Sequence, residues 1–144
     1  MSESSETPFA TGSCLCGKVS YTIHAEPVRM GQCHCDHCRK SSGTGHMSNA
    51  FFPKDAVKIS GDTHSYTTVA DNGAEVTRHF CPNCGSRLFG TNNTFTEIMA
   101  ITAGCLDDSS WFKPQAIVYH KHKPVWDCMD ETVPTFDEML PIPK

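Results

Sequence analysis

Seven of the nine cysteines in this chain fall into three short clusters, and that spacing constrains the fold more than any other feature. The clusters are Cys14-Leu-Cys16, Cys33-His-Cys35-Asp-His-Cys38 and Cys81-Pro-Asn-Cys84. Cysteines one or two residues apart readily share a metal ion but rarely form a relaxed disulfide with each other. Disulfide-dense chains are moreover short, secreted and even in cysteine count as a rule. Thiolate ligation of zinc is therefore expected. A structural zinc closes its shell with four Cys or His ligands, whereas a catalytic zinc keeps three protein ligands and one exchangeable position. Seven thiolates divide naturally into one closed and one open site.

The partition itself is not fixed by spacing. Cys81-x-x-Cys84-Gly85 has the form of a zinc knuckle: Pro82 and Asn83 suit a turn, and Gly85 accepts the positive φ that turns backbone N–H groups toward the sulfurs. Cys35-x-x-Cys38 is also a C-x-x-C pair, but 42 residues separate Cys38 from Cys81, against about 15–20 in a zinc ribbon. Joining Cys14 and Cys16 to Cys81 and Cys84 would leave Cys33, Cys35 and Cys38 as a contiguous triad with an exposed fourth position. His34 or His37, inside the triad segment, could supply a fourth ligand and close that site, or could be outward-pointing or supporting residues. His46, just beyond the turn Ser41-Ser-Gly-Thr-Gly45, is the candidate proton-transfer group.

The rest of the chain fits a small metalloprotein. At 144 residues it has the length of a single domain, read as residues 12–138 between a flexible tail at 1–11 and a short tail at 139–144. A formal net charge of −4 argues against nucleic-acid binding, which calls for a basic surface. No stretch approaches the roughly 18 apolar residues of a membrane span, and the acidic, polar first residues do not read as a secretion signal, so a cytoplasmic protein is expected. Alternating apolar and polar residues predict short strands at 18–23, 47–52, 57–59, 65–69, 75–80, 87–89, 97–102 and 116–119, separated by turn-forming runs at 53–55, 61–62 and 71–73. Only residues 35–42 and 135–140 have room for a turn of helix. The expected class is mainly β, an antiparallel sandwich with low helix content. Trp126, Phe51, Phe52, Phe80 and Phe89 are expected in its core, and Cys105 and Cys128 as small buried apolar residues. His120 and His122 would alternate along a strand, and Asp107 and Asp130 would cap turns.

The runs Gly12-Ser-Cys-Leu-Cys-Gly-Lys-Val-Ser-Tyr21, Cys33-His-Cys-Asp-His-Cys-Arg-Lys40 with Ser42-Gly43, and Phe80-Cys-Pro-Asn-Cys-Gly-Ser86 resemble the glutathione-dependent formaldehyde-activating family. Gly104-Cys-Leu-Asp107, Lys123-Pro-Val-Trp126, and Asp130 before Pro134 match later landmarks of that family. The resemblance implies a zinc-stapled β-sandwich with two zinc ions per chain. By motif, Cys14, Cys16, Cys81 and Cys84 would hold the structural ion, and Cys33, Cys35 and Cys38 the catalytic one. It also implies a carbon–sulfur lyase-type activity that joins glutathione to formaldehyde. Glutathione brings two carboxylates, for which Arg39 and Lys40 are the nearest cations in sequence and Arg87 an alternative. A similar domain occurs in centromere protein V, so a non-enzymatic zinc-binding interaction module is the main alternative. A thiol redox or zinc-handling protein is the other.

Overall fold

The computed structural model describes residues 7–140. Among them are ten strands: β1 (Ala10–Ser13), β2 (Ser20–Ile23), β3 (Arg29–Cys33), β4 (Met47–Pro53), β5 (Val57–Ser60), β6 (His64–Val69), β7 (Glu75–Phe80), β8 (Arg87–Asn92), β9 (Ile98–Thr102) and β10 (Ala116–Val118). One α-helix, α1 (Asp36–Ser42), and single turns of 3-10 helix complete the regular structure. The strands form a three-stranded sheet, β1-β2-β5, and a seven-stranded sheet, β10-β3-β4-β9-β8-β7-β6. Pairing is antiparallel except that β10 runs parallel to β3. The fold is mainly β, as expected, and no helix among the described residues is long and apolar enough to cross a membrane.

Alternation along the strands decides which faces meet. Ala50 and Phe52 of β4, Met99 and Ile101 of β9, and Phe89 of β8 all point to one face of the large sheet, where they pack on Tyr21 and Ile23 of the small one. Phe52 and Ile101 are wholly buried, each removing apolar surface worth about 1.5–3 kcal/mol. The β7–β8 ladder is interrupted by a bulge: His79 pairs with Phe89 and Phe80 with Arg87, which leaves Leu88 unpaired between them. Leu88 and Phe89 both enter the core, while Arg87 goes to the opposite face. On that opposite face the sheet curls. Seven flat strands would hold the outer edges about 29 Å apart, yet Tyr119, directly after β10, donates from its hydroxyl to Asp71 in the β6–β7 turn at 2.9 Å.

Several expectations are corrected. β1 starts at Ala10, so the ordered sheet reaches into the segment 1–11 read as a tail; residues 1–6 and 141–144 lie outside the described region. Residues 135–140 are not helical. Thr135 instead bridges Ile117 in parallel, and the Phe136 N–H donates to the Ile117 carbonyl at 2.8 Å, because edge strand β10 offers unpaired backbone groups. His120 and His122 lie in a 3-10 turn rather than along a strand, after Tyr119 breaks the extended backbone at φ 54°. Trp126 is 65% exposed and Cys128 is exposed, so neither belongs to the core. Phe52 and Phe89 do. Asp130 caps a turn, accepting from the Thr132 N–H at 2.9 Å, and Asp107 accepts from the Thr11 hydroxyl at 2.7 Å.

Candidate metal centres

The turn between β1 and β2 carries Cys14 and Cys16, and the turn between β7 and β8 carries Cys81 and Cys84. The structure brings these four together with every Sγ within 4.8 Å of the others. Cys14 and Cys16 are 3.6 Å apart, and Cys16 and Cys81 are 3.7 Å apart. Four sulfurs about 2.3 Å from one zinc at tetrahedral angles would lie about 3.8 Å from each other, whereas disulfide sulfurs lie about 2.05 Å apart. The donor set therefore fits a closed four-thiolate ion. Glycines in the left-handed region shape both knuckles: Gly17 at φ 82° donates to the Cys14 carbonyl at 3.2 Å, and Gly85 at φ 81° to the Cys81 carbonyl at 2.8 Å. Nothing crowds either glycine, so positive φ rather than space is what requires them. Backbone N–H groups of Val19, at 3.3 Å, and Asn83, at 3.4 Å, then point at the Cys14 and Cys81 sulfurs. Hydrogen bonds from Ser86 hold the Cys84 thiol down to about 5, which favours the thiolate that a metal takes.

Cys33 ends β3, Cys35 caps α1 and Cys38 lies in its first turn. Their three sulfurs also lie within 4.8 Å of one another. The Cys38 N–H donates to the Cys35 sulfur at 3.3 Å and the Cys35 N–H to the Cys33 sulfur at 3.5 Å. Hydrogen bonds from Cys33 and then Cys38 hold the Cys35 thiol near 2, and the hydrogen bond to Cys35 pushes the Cys33 thiol far up. A set of three donors suits a zinc that keeps an exchangeable position. Among the described residues no His, Asp or Glu joins this group. His37 is exposed on α1, and His34, although adjacent to Cys33, turns the other way.

His34 belongs to a third cluster on the opposite side of the sheet. It is wholly buried, and its Nδ1 lies 2.8 Å from the Gly45 carbonyl oxygen, so that nitrogen carries the proton and donates. Burial keeps its proton affinity below the ordinary imidazole range. His46 joins it there, with Nδ1 2.7 Å from Asp127 Oδ2 and Nε2 3.4 Å from the Gln32 amide. Gln32, His34, Ser48 and His46 alternate with Cys33 and Met47 in the β3–β4 ladder, so His46 faces away from the triad. A Cβ at Gly45 would fall on the Asp127 carboxylate, which explains a glycine there.

The candidate substrate cations are also placed. Arg39 is occupied by Asp36 and by the His34 carbonyl at 3.1 Å, and Lys40 is exposed on α1. Arg87 instead reaches α1, donating to the Ser41 hydroxyl at 3.1 Å. Sequence reading missed Arg78, Tyr119 and Asp127, since a strand residue, a residue of unusual φ and a distant carboxylate show no motif. The surface depression lined by Lys18, Gly61, Asp62, Cys81, Pro82 and Asn83 borders the four-sulfur group. A closed shell leaves no position for a substrate there.

Comparison with known proteins agrees with this geometry. The family described as glutathione-dependent formaldehyde-activating enzyme matches residues 9–122. A Halomonas elongata protein assigned that name is 28% identical over 132 residues, covering 80% of this chain and 77% of its own. A Penicillium rubens protein assigned the same name is 28% identical over 105 residues, covering 71% of this chain but only 54% of its own, so the chain spans about half of that relative. A Rhodobacter sphaeroides protein of known crystal structure shares the fold, with a TM-score of 0.54 at 17% identity over 67% of this chain and 87% of that one. With the matched region running from β1 through the 3-10 turn at His120–His122 and enclosing all three cysteine clusters, the chain belongs to the glutathione-dependent formaldehyde-activating enzyme family.

Proposed function

We propose that this chain is a two-zinc enzyme that joins a thiol, glutathione in the namesake reaction, to a small electrophile such as formaldehyde. The observation that supports it most is the separation of seven sulfurs into a four-sulfur group and a three-sulfur group on different elements. Cys14, Cys16, Cys81 and Cys84 would hold a structural zinc that ties the small sheet to the β7–β8 turn. Cys33, Cys35 and Cys38 would hold the catalytic one. A divalent ion bound there would supply an exchangeable fourth position and the Lewis acidity that lowers the pKa of a bound thiol. The triad's own contribution would be to hold that ion and, with three thiolates, to limit its charge. In the overall step the thiol sulfur forms a bond to the carbonyl carbon, the C–O π bond opens, and the thiol's proton ends on the carbonyl oxygen. His46, held by Asp127 and Gln32 on the other side, is a positioning residue for the β3–β4 end in this reading. Zinc ligation by seven thiolates would suit a reducing compartment such as the cytoplasm.

The test is an NMR assay of S-hydroxymethylglutathione formation from formaldehyde and glutathione by the zinc-loaded chain. The rate should exceed the spontaneous reaction and fall at least about 100-fold in Cys35→Ser, as expected when an essential group is removed. A rate equal to the uncatalysed one would reject this substrate pair.

A further inference from the structure

The face of the large sheet that turns away from the core carries an unexplained set of polar atoms. Directly paired residues share a face, and the register runs from Asn49 to Thr102, from Ala100 to Gly90, and from Gly90 to Arg78. Arg87, paired with Phe80, belongs to the same side, and so does Cys33, two residues along from Gly31 opposite Asn49. Asn49 Oδ1, Thr102 Oγ1, Arg78 Nε and Arg87 Nε are all buried without a hydrogen-bond partner. Native proteins leave few such atoms, and four on one face beside a metal-ligand cluster call for a ligand.

The charge points the same way. Arg78 spends Nη1 on the Thr68 hydroxyl at 2.7 Å, and Arg87 spends Nη1 on Ser41. Neither forms an ion pair with a carboxylate among the described residues. Half-buried guanidinium groups without an anion are costly, and partial burial together with the nearby Arg78 lowers the proton affinity of Arg87 to about 10. The nearest negative charge is the triad: Cys38 feels Arg78 and Arg87 feels Cys38, and Ser41 lies one helical turn beyond Cys38 on α1. Three thiolates around a divalent ion would carry a formal −1 against +2 on the two guanidiniums, which leaves this face a net positive charge that favours an anionic ligand. Gly90 provides the floor, since its missing side chain leaves the space beside Arg87 Nη2, 3.3 Å from where a Cβ would stand.

We infer that Arg78 and Arg87, with the Thr102 hydroxyl as a further donor, form a carboxylate subsite beside the triad and select thiols that carry a carboxylate a few bonds from sulfur. This rests on the thiol-joining reading above and gives it a substrate class. Arg39 and Lys40, engaged or exposed on the outer surface of α1, do not take part.

The experiment titrates 3-mercaptopropionate, 2-mercaptoethanol and succinate into zinc-loaded, 15N-labelled full-length protein. The arginine Nε–H resonances are assigned by their loss in Arg78→Gln and Arg87→Gln. The wild type should bind 3-mercaptopropionate about tenfold or more tightly than 2-mercaptoethanol, as for a charge-assisted contact. Only the carboxylates should move the two Nε–H signals. Arg87→Gln should reduce the preference to within about twofold and leave 2-mercaptoethanol binding unchanged, and Arg87→Lys should retain part of it. Equal binding of the two thiols by the wild type, or a preference that survives both glutamine variants, overturns the subsite. If the glutamine variants lose zinc or fail to fold, the wild-type Nε–H response decides by itself: movement with 2-mercaptoethanol as great as with the carboxylates rejects it. If the carboxylates move the Nε–H signals while 2-mercaptoethanol does not bind and 3-mercaptopropionate binds no more tightly than succinate, the carboxylate subsite stands and the thiol-joining reading falls.

Discussion

Replacing Cys14 and Cys16 together by serine should remove a large part of the chain's margin of stability. The four-sulfur group ties the turn after β1 to the turn after β7, and Cys16 and Cys81 are 65 positions apart. Closing a loop of that length in the unfolded chain costs about 4 kcal/mol of conformational freedom, and a metal tie that exists only in the folded protein returns that amount as stability. Single domains are stable by about 5–15 kcal/mol, so the loss is about a quarter or more of the whole. With a urea slope of about 2 kcal/mol per M, the unfolding midpoint should fall by about 2 M. Replacing Cys33 and Cys35 by serine should do far less, because the triad lies within six residues and ties the chain only to itself. A shift below about 0.5 M is expected there, with one equivalent of zinc lost in either variant. The assay is urea unfolding followed by far-ultraviolet circular dichroism, with zinc measured by elemental analysis on the same samples. Equal midpoint shifts in the two variants would refute the division into a structural and a working site. So would an unchanged midpoint in Cys14→Ser/Cys16→Ser after loss of its zinc.

Two other perturbations probe the rest of the molecule. Gly45→Ala should displace the Asp127 carboxylate and break its bond to His46, a charge-assisted contact whose loss costs about 2–3 kcal/mol. In a chain of this size that is about 5–10 °C in Tm, readable by scanning calorimetry; an unchanged Tm would mean that the C-terminal segment is held elsewhere. Tyr21 has a buried hydroxyl with no partner, and burial, with Cys105 and Asp107 adding to it, raises its proton affinity well above the usual tyrosine value. A folded-state value above the unfolded one leaves stability intact below about pH 10 and erodes it as pH rises further. Tyr21→Phe should be neutral or stabilising at pH 7 and should show a shallower alkaline decline in urea midpoint; an identical decline would place its origin in other groups.

The metal clusters were largely legible in the sequence because close spacing is itself the geometry: Cys81, Cys84 and Gly85 specify a turn wherever they fall. The pairing of that turn with Cys14 and Cys16 was not, since it depends on how two sheets stack. Strands with strong alternation, such as 75–80, stood out. β1 and β3 did not, because Ala-Thr-Gly-Ser and Arg-Met-Gly-Gln-Cys have little apolar pattern and are strands only by pairing with β2 and β4. The turn of helix for which 135–140 had room did not form for the converse reason, since edge pairing with Ile117 outweighed a weak local preference. Arg39 and Lys40 followed from nearness in sequence, whereas the curl of the sheet sets Arg78 of β7 against Cys38, forty residues away. No local signal carries such a relation.

The bulge in the β7–β8 ladder has an evolutionary consequence. In a regular strand, a residue inserted or removed flips everything beyond it to the other face, so changes to a working surface disturb the packing behind it. Here the extra residue, Leu88, is absorbed between Phe80 and His79 pairings, and neighbouring side chains go to separate duties: Leu88 and Phe89 inward, Arg87 outward. Position 87 can therefore vary among relatives with little penalty to the interior. A different residue at this point would change the charge of the outer face on an unchanged scaffold.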